Sequence, residues 1–293
     1  MTVAIGLVGA GGRAARVHAP TMAASPDVRF AGVWSRTFGP AERLASQYGV
    51  PVFERYDDLL DTCEAVAFAV PPAAQVDLAV TAAQRGLAVL LEKPLAVDVA
   101  GAKELAAEVE RSNVVSLLAL TWRYAPAVRR FLDRVVPRTH PIGATARARS
   151  SLLTEGTPAR TWWVERSVLF DQGPEIVDVL DAALGRIRTV RGHGDRLGWI
   201  GLLLEHEGGR FSEVSLSAHA GVQPRRAEVE IVGSNGVADI DCAAAVGPDA
   251  YTTMYAEFVS AIRDGAPVTV DARRGCRLHE VLDRVETDLL RSL

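Results

Sequence analysis

Val3-Ala4-Ile5-Gly6-Leu7-Val8-Gly9-Ala10-Gly11-Gly12-Arg13-Ala14 decides the fold: an apolar run closes in a glycine cluster and opens into an Ala/Arg-rich segment. The order reads as strand, tight turn and helix. Gly9, Gly11 and Ala14 fit G-x-G-x-x-[GA], where each small residue has its own task. Gly9 lets the chain turn, Gly11 lets the backbone approach a pyrophosphate, and Ala14 lets the helix pack closely on the sheet. A helix beginning near Arg13 would present free N–H groups and a positive dipole end to the phosphates. Gly9, Gly11, Gly12, Arg13 and Ala14 are therefore candidate cofactor-binding residues.

The alternation that follows extends this reading into a domain. The sequence predicts a helix over Arg13–Ala24, a strand over Phe30–Ser35 and a helix over Pro40–Tyr48. A continuous apolar run, Ala65–Val70, suits a parallel strand covered on both faces and stops at Pro71-Pro72. Gln75–Arg85 then reads as helix and Ala88–Leu91 as strand. Repeated β-α units imply a doubly wound sheet whose ligand lies beyond the carboxyl ends of its strands. Pro71 and Glu92-Lys93-Pro94 fall on that edge.

The residues after the second strand bear on the cofactor. An acidic side chain there would bind the adenine ribose hydroxyls and repel a 2′-phosphate. Ser35, Arg36 and Thr37 stand there instead, and a guanidinium with two hydroxyls suits a phosphate monoester. NADP(H) is thus favoured over NAD(H). Glu92-Lys93-Pro94 carries the second piece of chemistry: Pro94 biases Lys93 toward extended backbone, holding the lysine at a strand end. Lys93 there is placed to give a proton to a carbonyl oxygen or to bind an alkoxide.

Gly9/Gly11/Ala14 followed by Glu92-Lys93-Pro94 resembles the glucose-fructose oxidoreductase / inositol dehydrogenase / MocA (Gfo/Idh/MocA) family of NAD(P)-dependent oxidoreductases. Further segments agree along nearly the whole chain. Trp122-Arg123-Tyr124-Ala125-Pro126 resembles the family's R-[YF]-x-P segment, Val232–Ile240 its glycine-turn strand pair, and Glu257–Val268 its C-terminal end. The resemblance implies an α/β protein: an N-terminal Rossmann doubly wound parallel sheet, then an α/β domain with a large open, mostly antiparallel sheet. The division expected is 1–121 for NAD(P) binding and 122–293 for substrate binding and oligomerisation as a homodimer or homotetramer through the C-terminal sheet. Strands expected there include Gly143–Leu153, Trp199–His206 and Arg210–Ser217, with a helix over Tyr251–Asp264.

Two departures from the family pattern stand out. The family commonly has a histidine eight residues after its first glycine, where this chain has Val17, with His18 next. One residue along a helix turns a side chain by about 100°, so the resemblance assigns His18 no role. The family's D-x-G-x-H-x-x-D segment appears as Asp171-Gln172-Gly173-Pro174-Glu175-Ile176-Val177-Asp178, with Glu175 in the histidine's place. The resemblance puts this stretch at the start of a helix facing the nicotinamide, with Glu175 as the stand-in for proton handling beside Lys93. Asp171 and Asp178 would orient it or bind substrate. On residue type alone Asp171 reads as well as a helix cap, Glu175 as a first-turn carboxylate and Asp178 as a solvated face.

Arg160–Arg166 holds adjacent Trp162 and Trp163 between arginines, a combination suited to stacking on a sugar ring and equally to core packing. Arg123 and Tyr124 are further candidates for substrate contact. The net charge of −4 and ordinary composition give no basis for nucleic-acid binding. The N-terminal apolar run is too short for a signal or a membrane span, so a cytoplasmic protein is expected. Cys63, Cys242 and Cys276 are scattered without metal-ligand spacing, and no metal is expected. The sum is an NADP(H)-dependent dehydrogenase or reductase acting at a secondary alcohol or carbonyl of a small polar molecule, a sugar, sugar derivative or cyclitol. Two alternatives stay open: a non-catalytic NADP(H)-binding sensor or assembly protein, and an imine or ketone reductase using Glu175.

Overall fold

The computed structural model describes residues 2–151, 154 and 161–291, without the side chains of 161–167. The chain forms two compact units, Met1–Leu120 with Tyr251–Cys276, and Thr121–Ala250 with Arg277–Leu293.

In the first unit β1 (Val3–Val8), β2 (Val28–Trp34), β3 (Val52–Phe53), β4 (Ala65–Phe68), β5 (Ala88–Leu91) and β6 (Ser116–Leu118) form one sheet in the order β3-β2-β1-β4-β5-β6. Every pairing is parallel. All residues of β1, β4 and β5 are buried, which is why these strands read as unbroken apolar runs instead of alternating ones. The crossovers are α1 (Ala19–Ala24), α2 (Phe38–Tyr48), α3 (Tyr56–Leu60), α4 (Pro72–Gln84) and α5 (Val99–Arg111). Strand order reverses at β1, between β2 and β4. That is the crevice where an open α/β sheet takes its ligand.

The segment after the glycine turn differs from the simple helix expected from Arg13. Ala14–His18 is a π-turn, in which the amide of Ala19 donates to the carbonyl of Ala14, five residues back. It holds one residue more than an α-turn. Ala15 and Arg16 are exposed on it, while Val17 and His18 are buried.

The second unit contains the 3-10 turn Thr121–Tyr124, the helices α6 (Pro126–Arg130), α7 (Val136–Thr139) and α8 (Thr161–Leu184), and a second six-stranded sheet. Its strands are β7 (Pro141–Arg149), β8 (Ile187–Gly194), β9 (Ile200–His206), β10 (Phe211–Ser217), β11 (Arg226–Gly233) and β12 (Gly236–Asp241), ordered β12-β11-β7-β10-β9-β8. Among the described residues only β7 and β10 pair in parallel in this sheet. Ala144, Ala146, Leu202, Leu204 and Val214 are buried on the face that α8 packs against. The intervening Thr145, Arg147, Leu203, Phe211 and Glu213 lie on the opposite, accessible face. Gly173 admits α10 (Ala272–Arg291) close to α8: a Cβ there would sit 2.9 Å from Leu282 Cδ2.

Two further expectations of the sequence meet a different structure. The helix α8 starts ten residues before Asp171, so Asp171 is a mid-helix residue and not a cap, and Glu175 is not in a first turn. The helix start expected here came from the family resemblance, and Pro174, whose nitrogen cannot donate back to Phe170, lies inside the helix instead. The other concerns the far end of the chain. The helix α9 (Pro248–Asp264) and the residues up to Cys276 belong, from Tyr251 on, with the first unit. Leu118 N–H donates to Val270 O at 2.8 Å, and Ala272 N–H to Ser116 Oγ at 3.1 Å.

Candidate active site

The glycine turn sits at the carboxyl end of β1 and has the shape its residues imply. Gly9 has φ +108°, and a Cβ there would lie 2.4 Å from Ala69 O, so only glycine fits. Its N–H donates to Trp34 O at 2.8 Å, tying the turn to the end of β2. A Cβ on Gly11 would meet nothing within 4 Å. The space over this backbone is therefore open to a ligand and would be filled by any larger residue. The turn fits a dinucleotide pyrophosphate on these grounds. Ser35, Arg36 and Thr37 follow β2 on the same edge: Ser35 Oγ donates to Thr37 O at 2.7 Å, and the Arg36 side chain is exposed. Pro71 caps α4 on that edge too.

Glu92-Lys93-Pro94 follows β5, again at the carboxyl edge, with a cis Lys93–Pro94 bond. Gln75 of α4 clamps the backbone of this strap. Its Oε1 accepts from Glu92 N–H at 2.8 Å, and its Nε2 donates to Glu92 O at 2.8 Å and Leu95 O at 3.0 Å. The Glu92 carboxylate is buried. Arg13 Nε and His18 Nε2, the latter 3.0 Å away, both donate to Oε1, and Lys93 N–H donates to Oε2 at 3.3 Å. Burial alone would raise the Glu92 pKa, but the Arg13 charge and the His18 contact outweigh it and hold it down at about 2. Arg13 is affected reciprocally: burial opposes its charge, yet Glu92 raises its pKa on balance. The Arg13 guanidinium also lies 5.5 Å over the Tyr251 ring. His18 Nδ1 is 2.8 Å from Tyr255 Oη, and both side chains are completely buried. Lys93 is half-buried beside this cluster.

Within the second unit the expected residues are used among themselves. Gln172, Glu175 and Asp178 recur at helical spacing on α8 and are all buried. Thr121 Oγ1 donates to Glu175 Oε1 and Trp122 N–H to Glu175 Oε2, both at 3.0 Å. The carboxylate thus caps the 3-10 turn carrying Trp122, Arg123 and Tyr124. Arg123 is ion-paired to Asp178 at 2.8 Å. Tyr124 is fully buried with the Arg129 guanidinium 5.4 Å over its ring. Asp171 is half-buried. Cys242 stays a thiol, since burial and then the Glu175 charge push its pKa well up. The side chains of Trp162 and Trp163 lie outside the described residues.

Residues 3–119 match the family described as oxidoreductase family, NAD-binding Rossmann fold (GFO_IDH_MocA). The likeness to the Gfo/Idh/MocA oxidoreductase family is thus carried by residues 3–119. It is 31% identical over 120 residues to a glucose-6-phosphate 3-dehydrogenase of Bacillus subtilis (strain 168), covering 41% of this chain and 34% of that protein. It is 30% identical over 139 residues to an inositol 2-dehydrogenase of Rhizobium meliloti (strain 1021), covering 45% of this chain and 41% of that protein. These alignments span less than half the length of either relative. The fold extends further than the sequence likeness. GenD2 from gentamicin A biosynthesis, in complex with NAD, superposes over 100% of this chain and 95% of its own, with a TM-score of 0.87 at 22% identity.

Several residues of the two networks were not identified from sequence. Gln75, Tyr255 and Thr121 have no local motif, because each acts across a fold contact made by distant segments. His18 was set aside on the assumption of regular α-helix. One signal was available in the composition: the chain contains 30 arginines and only two lysines, Lys93 and Lys103. A chain that uses arginine almost everywhere for positive charge keeps at position 93 the residue able to give up its proton.

Proposed function

We propose that this chain is a Gfo/Idh/MocA member, an NADP(H)-dependent oxidoreductase acting at a secondary alcohol or carbonyl carbon of a small polar molecule, a sugar, sugar derivative or cyclitol. The observation that carries it is Lys93, half-buried at the carboxyl edge of the parallel sheet on a strap held by Glu92 and Gln75, on the same edge as the glycine turn. When bound, the nicotinamide supplies or accepts the hydride. Gly9, Gly11 and Gly12 hold the pyrophosphate, and Ser35, Arg36 and Thr37 hold the adenine ribose with its 2′-phosphate. Lys93 Nζ gives a proton to the substrate oxygen in reduction and takes it back in oxidation. The sugar or cyclitol class is supported by the names of the two relatives above.

Residues 122–293 are assigned to substrate recognition and self-association. Glu175, with its carboxylate engaged by Thr121 and Trp122, sets the Arg123–Tyr124 turn in this reading and is not the proton carrier. The accessible sheet face, with Leu203 and Phe211 exposed among charged residues, is the surface we assign to a second copy of the chain. Light scattering of the purified protein tests that assignment, and a monomer at micromolar concentration removes it.

The activity is tested by nicotinamide absorbance at about 340 nm, the usual window of the reduced cofactor. NADP and NADPH are offered with polyols, sugars, keto-sugars and cyclic imines, beside Lys93→Ala. Turnover on a sugar or cyclitol that falls by about 10²-fold or more in the variant is expected. Turnover confined to imines transfers the enzyme to amine chemistry. Tight NADPH binding without turnover on any of them favours the sensor reading.

A further inference from the structure

The Tyr255–His18–Glu92 cluster is a buried hydrogen-bond chain ending at the residue next to Lys93. Its polarity follows from charge. Glu92 is ionised and accepts only, so His18 Nε2 must carry the hydrogen of their 3.0 Å contact. His18 Nδ1 lies 2.8 Å from the Tyr255 hydroxyl. A buried histidine satisfied on both sides is in itself an ordinary structural element. Two observations separate this one. Its acceptor is the carboxylate whose other oxygen takes the Lys93 N–H. The helix also departs from α geometry just at Ala14–His18, and single π-turns are frequent at functional sites.

We propose that His18 and Tyr255 are positioning residues for Lys93, acting through the Glu92 carboxylate, and that the π-turn is what brings His18 to that carboxylate. The geometry of the turn accounts for the one-residue offset of His18 from the family's histidine. An α-turn closes with a bond from residue i+4, whereas this one closes from Ala19 to Ala14 and takes up one additional residue. The additional residue is taken up within Ala14–His18, of which His18 is the last, and this offsets the one-residue shift of His18. Tyr255 arrives from the other end of the sequence, on α9, whose residues from Tyr251 on belong with the first unit.

The inference rests on the assignment of Lys93 above, so its test includes a readout independent of turnover. With only two lysines in the chain, competitive acetylation of the full-length protein followed by mass spectrometry reports Lys93 against Lys103 as internal reference. In His18→Leu and Tyr255→Phe the Lys93:Lys103 ratio is expected to change by about threefold or more, with kcat down roughly tenfold and KM and the Kd for NADPH unchanged. His18→Gln places an amide donor near the Nε2 position and is expected to restore both. Deletion of the exposed Ala15 turns the π-turn into an α-turn and is expected to leave the ratio as in the natural chain. A ratio unchanged in a folded His18→Leu overturns the positioning role, and a ratio shifted by the Ala15 deletion overturns the role of the turn. If His18→Leu does not fold, Tyr255→Phe, which loses one oxygen atom, decides alone. Loss of turnover in Lys93→Ala with no response to His18 or Tyr255 refutes this inference and leaves the proposed function standing. Full turnover in Lys93→Ala refutes the proposed function, while the labelling ratio still decides the positioning.

Discussion

Glu92 and Glu175 are both buried carboxylates at positions the sequence marks for chemistry, and they are held in different ways. Glu92 faces a guanidinium and an imidazole, and its second oxygen takes the amide of the one candidate proton donor. Glu175 faces a hydroxyl and a backbone N–H at the start of a 3-10 turn. A carboxylate tied to charged groups transmits any change in those groups to its neighbour. One that caps a turn maintains backbone geometry. The motif that matches the family residue for residue is therefore the one built into a charged network, whereas Glu175, where the chain departs from the family, accepts from Thr121 and Trp122 of a 3-10 turn.

The largest effect that would sharpen this contrast is on Glu92. Glu92→Gln leaves Arg13 partly buried without its counter-ion, and we expect a loss of about 3 kcal/mol in urea unfolding, with a changed Lys93:Lys103 labelling ratio. A variant as stable as the natural protein would mean that the pair is solvated and the network incidental.

The same carboxylate sets an acid limit. Its folded pKa of about 2 lies below its ordinary 4.5, so the stability it contributes is complete above pH 4.5 and is lost as pH falls toward 2. The amount is on the order of 3 kcal/mol. Arg13→Gln removes the charge that does most to lower that pKa and should flatten the stability profile in this window, measured by unfolding between pH 5 and pH 2. An unaltered slope would place the acid sensitivity elsewhere.

Glu175→Ala should cost about 1–3 kcal/mol, the range for leaving buried donors unpaired, with Kd for NADPH unchanged. Glu175→Gln should cost less, because its amide oxygen still accepts. If Glu175→Gln were fully stable yet lost turnover at unchanged KM, the contrast would collapse and Glu175 would return as the proton carrier. The smallest effect concerns the cofactor. Arg36→Ala should weaken NADPH about tenfold, near 1.4 kcal/mol, and leave NADH unaffected in fluorescence titration. Equal weakening of both would make Arg36 a general cation and not a reader of the 2′-phosphate.

Much of the first unit was legible because its signals are local. Gly9 is required by a positive φ and a backbone 2.4 Å from its absent Cβ, and such a requirement is written into one residue type. The apolar runs of β1, β4 and β5 were legible because strands buried on both faces tolerate little else. The helix around Asp171 starts earlier than expected because the family resemblance, and no local signal, had set its start. His18 was passed over because a π-turn changes register without any residue that announces it.

The sequence by itself determined the Rossmann domain, the glycine turn, the lysine at the strand end and the residues following β2. Each depends on steric or charge requirements satisfied within a few neighbouring residues. Only the tertiary structure decided what the side chains at these places are joined to: that Tyr255 and His18 share Glu92 with Arg13, that Gln75 clamps the strap, and that Glu175 caps a turn more than fifty residues away. Those bonds link segments up to 237 residues apart, and no local pattern encodes a partner that the chain meets only after folding.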